Sequence, residues 1–295
     1  MLMDKFYYNT VGKTPLIQIT DRIWAKLETY NPTGSIKDRM VHYVANMSKR
    51  QGSLRPGMTL VEATSGNTGI ALSAYGAANG HTVKIIMPKN MSEERKQMMR
   101  LLGAEIIEVN DSDFQGAIFM RDEMCKDENV WSPCQFENEL NVECHQLTTA
   151  HEIHGDLRSV GMWSKKWDAF VCGSGTGGTM MGVISHNKSI SECKHVKHVL
   201  MIPEENATEH GIQGVNDGAD FLLNRALVDD IIKVRTKDAI NRAKLLAREN
   251  GLLVGISAGA NICASEEWIR RNPDASGIVV TVLCDRGERY MSVFS

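Results

Sequence analysis

Leu60-Val61-Glu62-Ala63-Thr64-Ser65-Gly66-Asn67-Thr68-Gly69-Ile70-Ala71-Leu72 passes from a short apolar run, through hydroxyls and glycines, into a segment of helical length. Strand, tight turn and helix in that order make half of a βαβ unit, and the succession repeats outward along the chain. Thr68 to Asn79 reads as a helix, Thr82 to Met87 as a strand, Ser92 to Leu102 as a helix, Ala104 to Val109 as a strand and Gln115 to Cys125 as a helix. A polar stretch from Asp127 to Glu143 interrupts the rhythm, and the passage between lobes is expected near its end. Beyond it, Ala169 to Cys172, Val199 to Pro203, Ile231 to Val234 and Ile278 to Leu283 read as strands, with helices at Asp238 to Glu249 and Ala258 to Arg271. The alternation predicts an α/β fold of mostly parallel sheets covered by helices. With 295 residues the chain is long for one hydrophobic core, so two lobes are expected.

A net charge of only -3 offers no electrostatic footprint for nucleic acid or an anionic membrane surface, which leaves small-molecule chemistry. Seven cysteines, with no Cys-x-x-Cys pair, read as reduced thiols of a cytoplasmic protein. The first residues, Met1-Leu2-Met3-Asp4-Lys5, place charges where a signal peptide needs its apolar segment, and no apolar run reaches membrane-spanning length. His151-Glu152-Ile153-His154 lacks the spacing of a zinc-binding H-E-x-x-H, and His195 and His198 have no acidic or thiol companion nearby in sequence, so no metal is expected.

Four turns carry the chemistry. In Asn31-Pro32-Thr33-Gly34-Ser35-Ile36-Lys37-Asp38-Arg39, Ser35 and Asp38 have capping-box spacing, which puts Lys37 in the first turn of a helix. The positive end of the helix dipole there favours the neutral amine that a Schiff-base lysine requires. Thr64 to Gly69 gathers backbone amides and short polar side chains at a helix start, a docking place for a carboxylate. Asn67 is placed to donate to a ligand's ring oxygen. Gly173-Ser174-Gly175-Thr176-Gly177-Gly178-Thr179 also follows a strand and opens a helix, forming a nest for a phosphate dianion with no lysine or arginine inside it.

The same glycine run satisfies G-x-G-x-x-G, and Glu204 after the next strand stands where a ribose-binding acid would, so a dinucleotide site competes. It leaves Lys37 and the Thr64 turn without a role, and pyridoxal 5'-phosphate (PLP) is favoured. In the fourth turn, Gly255-Ile256-Ser257-Ala258-Gly259-Ala260, Ser257 is either a helix N-cap or a neutral partner for a pyridine nitrogen. A neutral partner makes the ring a weaker electron sink, which suits loss of a β substituent better than transamination.

In this order and spacing, the four turns resemble those of the cysteine synthase (O-acetylserine sulfhydrylase) family, among the fold-type II PLP enzymes related to the tryptophan synthase β chain. The likeness covers almost the whole chain. It includes Val11-Gly12-Lys13-Thr14-Pro15-Leu16 and Gln135-Phe136-Glu137-Asn138; Met87 to Arg95, Pro203-Glu204-Glu205 and Cys284 to Tyr290 look most like the B-type isozyme. His210-Gly211-Ile212-Gln213-Gly214 looks more like the A-type.

The resemblance implies that Lys37 carries PLP as a Schiff base, Asn67 touches the ring oxygen, Gly175, Thr176, Gly177, Gly178 and Thr179 hold the phosphate, and Ser257 meets the ring nitrogen. Thr64, Ser65, Thr68 and Gln135 would hold the substrate carboxylate. The implied reaction makes L-cysteine from O-acetyl-L-serine and sulfide, or thiosulfate, through an aminoacrylate. It also implies a smaller mobile lobe at 38–143, a larger PLP-binding lobe at 1–37 plus 144–295, a homodimer, and serine acetyltransferase as a possible partner.

The chain departs from the family at Gly214-Val215-Asn216, where G-I-G is usual, and at Ala150-His151, where Gly-Pro is common. Both put the leaving group and sulfur donor in question. Phosphoserine-using relatives place an arginine near Gln213, which disfavours that substrate here. A compact cystathionine β-synthase using serine and homocysteine stays open. So does a different class, a binding protein that keeps the fold without turnover.

Overall fold

The computed structural model describes residues 10–161, 166–206, 209–215 and 219–295. After β1 (Leu16–Gln18) and β2 (Ile23–Leu27) come α1 (Lys37–Gln51), β3 (Thr59–Ala63), α2 (Asn67–Asn79), β4 (Val83–Pro88), α3 (Glu93–Leu101), β5 (Glu105–Val109), α4 (Phe114–Met124) and β6 (Val130–Trp131). The chain continues through α5 (Leu140–His145), a π-helical turn (Gln146–Ala150), α6 (His151–Ser159), β7 (Trp167–Gly173), α7 (Gly178–Ser189) and β8 (Lys197–Pro203). It ends with β9 (Asp230–Val234), α8 (Thr236–Asn250), α9 (Ile256–Arg271), β10 (Ile278–Leu283) and α10 (Met291–Phe294). Contacts cluster into two compact units, one holding Asn31–Gln135, the other Gly12–Tyr30 and Phe136–Ser295.

The smaller unit is built on a parallel four-stranded sheet in the order β5-β4-β3-β6. Successive strand residues face opposite sides, and both sides are covered. Val61, Ala63 and Ile86 pack with Ala117 of α4, while Leu60 and Val83 lie beneath Gly76 of α2. Covering both faces explains why β3 and β4 read as nearly continuous apolar runs rather than alternating ones.

The larger unit holds a six-stranded sheet in the order β1-β2-β10-β7-β8-β9, parallel except for the β1–β2 pair. Every residue of β10, Ile-Val-Val-Thr-Val-Leu, is buried, as its place inside the sheet demands. Val279, Val171, Val199 and Ile232 join Ala260, Ala264 and Trp268 of α9 in one core, and Ile23, Ala25 and Leu283 join Leu246 and Ile262 in another.

The α/β architecture of parallel sheets under helices is therefore the one the alternation predicts. Four pieces were not foreseen. β1 and β2 build one side of the larger sheet. Within the polar stretch, Val130–Trp131 pairs in parallel with Thr59–Leu60 at the edge of the smaller sheet. The helical run from Leu140 to Ser159 passes through a π turn.

Candidate active site

Asn31 to Gly34 form a tight turn, with Gly34 N–H donating to Asn31 O at 2.8 Å and Gly34 at φ +81°. Pro32 in its second position presets the required backbone angle. α1 then begins at Lys37, which is half-buried. The capping box expected from Ser35 and Asp38 does not form. The N-cap is Ile36, without a side-chain cap, and Lys37 N–H donates to Ser35 Oγ at 3.3 Å. Asp38 turns back instead, its Oδ2 accepting from Thr33 N–H at 3.1 Å and Thr33 Oγ1–H at 2.8 Å. Two donors on one residue outbid the single amide that a box would offer. Lys37 still stands at the positive end of a 15-residue helix.

The second turn links β3 to α2. Thr64 N–H closes onto Ile86 O at 3.0 Å, Gly66 is the N-cap without side-chain help, and Thr68 Oγ1–H donates to Gln135 Oε1 at 2.7 Å. Thr68 and Gln135 are buried, while Thr64, Ser65 and Asn67 are half-buried. Thus Gln135, 67 residues further on, meets the turn directly. Beneath it lies a fully buried carboxylate, Glu62, which accepts from Ala63 N–H at 2.8 Å and Gln135 N–H at 3.3 Å and pairs with Arg121 at 3.4 Å. Burial pushes the Glu62 carboxyl up, against the opposing pull of Arg121 and the two amides.

In the larger unit, Gly173 to Thr179 join β7 to α7. Gly177 is the N-cap at φ +92°, a conformation that side-chain-bearing residues rarely adopt. A Cβ on Gly175 would run into Gly214 O, and one on Gly177 into the Leu222–Leu223 backbone. Only main chain therefore fits in this cradle. Among the described residues, no acceptor takes the N–H groups of Gly175, Thr176, Gly177 and Thr179, and the buried Ser174 Oγ has no partner. Asn141 Nδ2–H donates to Thr176 Oγ1 at 3.0 Å, and His145 Nε2 lies 3.3 Å from Thr179 Oγ1. The imidazole is fixed on its other side by Thr149 Oγ1, 2.8 Å from Nδ1, which the π turn brings into reach. Neither Asn141 nor His145 was marked by the sequence. Asn141 sits in the polar stretch and His145 two residues beyond its end.

The N-cap of α9 is Gly255, so Ser257 is not the cap but a buried residue of the first helical turn. Its hydroxyl has no partner among the described residues. Gly255 N–H donates to Asp285 O at 3.0 Å and Tyr290 OH donates to Asp285 Oδ2 at 2.6 Å, so the start of α9 is anchored to the segment after β10. Val215 and Gly214 are in place beside the glycine turn, but Asn216 lies outside the described residues.

These features meet the demands of PLP. Its phosphate needs several donors and no side chain in the way, its pyridine nitrogen a polar neighbour, and its aldehyde an amine. The family model for pyridoxal-phosphate dependent enzymes matches residues 8–285. The chain belongs to that family. It is a PLP-dependent enzyme, which favours neither the dinucleotide reading of the glycine turn nor the reading as a binding protein without turnover.

The relatives narrow the family to the cysteine synthases, to which the sequence resemblance pointed. The cysteine synthase of Staphylococcus aureus is 36% identical over 300 residues, covering 96% of this chain and 94% of the relative. Cysteine synthase B of Escherichia coli is 36% identical over 295 residues, covering 96% and 93%. Among solved structures, a hydrogen sulfide-producing enzyme from Fusobacterium nucleatum is similar with a TM-score of 0.90 and 37% identity, over 99% of this chain and 90% of the other. Among the described residues, no helix is long and apolar enough to cross a membrane.

Proposed function

We propose that this enzyme makes L-cysteine by β-replacement, from O-acetyl-L-serine with sulfide or thiosulfate as sulfur donor. The observation that carries this reading is near-full-length likeness to cysteine synthases combined with a lysine at a helix start and a cation-free glycine cradle.

When bound, PLP supplies the electron sink that acidifies the α C–H of an amino acid and lets its β substituent leave. Lys37 would hold the cofactor through its amine, and that amine, once freed, would remove the substrate's α proton and later return it. The phosphate rests on the amides of Gly175, Thr176, Gly177, Gly178 and Thr179, with the α7 dipole contributing up to about 2 kcal/mol. Asn67 donates to the ring oxygen. Ser257 would meet the ring nitrogen with a hydroxyl rather than a carboxylate, so electron withdrawal would stay modest and β-elimination would be favoured over transamination.

The substrate carboxylate docks on Thr64, Ser65, Thr68 and Gln135. Because the Thr68 hydroxyl already donates to Gln135 Oε1, Thr68 offers its main-chain N–H and Gln135 its Nε2 end. The enzyme works in the cytoplasm as a homodimer and accepts the tail of a serine acetyltransferase.

Parallel spectral titrations of the holoenzyme with O-acetylserine, O-phosphoserine, serine and cysteine test the substrate. O-acetylserine is expected to shift the visible band, with sulfide restoring it as cysteine appears. A shift with serine alone, followed by product formation with homocysteine, would replace this reading with the cystathionine one.

A further inference from the structure

The Thr64–Gly69 turn is short, and its main-chain shape depends on what lies under it. The residue there is Glu62, in a strand whose other buried side chains, Leu60, Val61 and Ala63, are apolar. A carboxylate with no exposed surface is expensive unless it is fully engaged, and this one is engaged by two amides that belong to opposite sides of the carboxylate-docking turn. Oε1 takes Ala63 N–H, the last residue of β3 and the neighbour of Thr64; Oε2 takes Gln135 N–H, whose side chain in turn receives the Thr68 hydroxyl. Arg121 reaches in from α4, its Nη1 3.4 Å from Glu62 Oε1 and its Nη2 2.6 Å from Asp122 Oδ1. Arg121 is itself one of the largest fully buried side chains in the protein.

We infer that Glu62 and Arg121 form a positioning pair for substrate recognition: the buried carboxyl group clamps the main chain of Ala63 and Gln135, and Arg121 braces it from α4, so that Thr68 and Gln135 present their donors to the α-carboxylate of the amino acid. This rests on the assignment of the Thr64 turn to that carboxylate. Neither residue touches the substrate. Removing Arg121 takes away the pull that opposes burial, so the Glu62 carboxyl is pushed further up and its bonds to the Ala63 and Gln135 amides weaken.

The test uses holoenzyme of the wild type, Arg121→Met, Glu62→Gln and Val61→Ala. Val61 is buried on the same strand and outside the carboxylate chain, so it controls for a loosened sheet. Each is titrated with whichever amino acid of the panel shifts the wild-type spectrum, since the α-carboxylate is common to all of them. Arg121→Met is expected to raise the half-saturating concentration about tenfold or more, with turnover at saturation within about twofold. Glu62→Gln, nearly isosteric, carries the same expectation should Arg121→Met fail to fold. Val61→Ala should lower the melting temperature but leave half-saturation within about twofold.

Wild-type half-saturation in Arg121→Met or Glu62→Gln, or an equal rise in Val61→Ala, overturns the inference. If O-acetylserine fails to shift the wild-type spectrum while another amino acid does, only the substrate proposed above is lost. If no amino acid shifts it, both fall.

Discussion

The two strand-to-helix turns of this enzyme that we propose hold anions are built in opposite ways. Gly173 to Thr179 in the larger unit is a main-chain cradle: it excludes side chains at Gly175 and Gly177 and contains no cation. Thr64 to Gly69 in the smaller unit is a side-chain device, with Thr68 joined to Gln135 and both braced from below by a buried ion pair. Fixed amides suit a ligand that stays, because nothing need be reordered to hold it. Hydroxyl and amide side chains, whose geometry depends on a neighbour, suit a ligand that arrives and leaves at every turnover. The contrast predicts that damage to the first turn shows up as lost cofactor, and damage to the second as weak substrate binding with the cofactor retained.

The largest expected effect lies outside both turns. Lys37→Ala should lower turnover by about a thousandfold or more, the scale of losing the group that moves the proton. Residual activity near wild type, in a steady-state assay of cysteine formation, would move the chemistry elsewhere. Next comes Gly175→Ala: the added methyl meets Gly214 O, and overpacking of about 1–3 kcal/mol translates to roughly 5- to 150-fold weaker retention of PLP, read from the visible absorbance after dialysis. Retained cofactor with raised substrate half-saturation would erase the distinction between the turns.

Gln135→Leu is the converse, with half-saturation up about tenfold and cofactor content unchanged. The smallest effect compares two thiols. Burial pushes Cys125 of the smaller unit up to about 11 and Cys263 of the larger up to about 12. Below those values the thiolate fraction grows tenfold per pH unit, so alkylation of both should climb without a plateau from pH 8 to 10, with Cys125 the faster. A plateau in that range, followed by mass spectrometry of the two peptides, would contradict the burial argument.

The parts of the fold that could be read from sequence are those where one interaction dominates. β7, β8 and β10 are buried and apolar along nearly their whole length, and each glycine turn sits where a helix must start. β2 was hidden because Ile23-Trp24-Ala25-Lys26-Leu27 carries a lysine. That lysine is fully buried, and its neutralisation comes from Asp156 and Glu152, at 2.6 and 3.1 Å, on a helix far along the chain. β6 is two residues long, below what periodicity can register.

The same logic separates the legible from the hidden parts of the site. Lys37, the glycine cradle and Ser257 could be proposed from the sequence because local chemistry marks them. Nothing local marks Glu62, since its partner Arg121 lies 59 residues away and only the fold joins them. Asp38 was misread for a related reason: a capping box was the nearest local solution, and the turn at Thr33 supplied a better one.

The most direct measurement is borohydride reduction of the purified yellow enzyme, followed by proteolysis and mass spectrometry of the labelled peptide. The account predicts a single phosphopyridoxyl group, fixed as a secondary amine on the peptide containing Lys37. A label on any other lysine, or none on a protein that still makes cysteine, would contradict it.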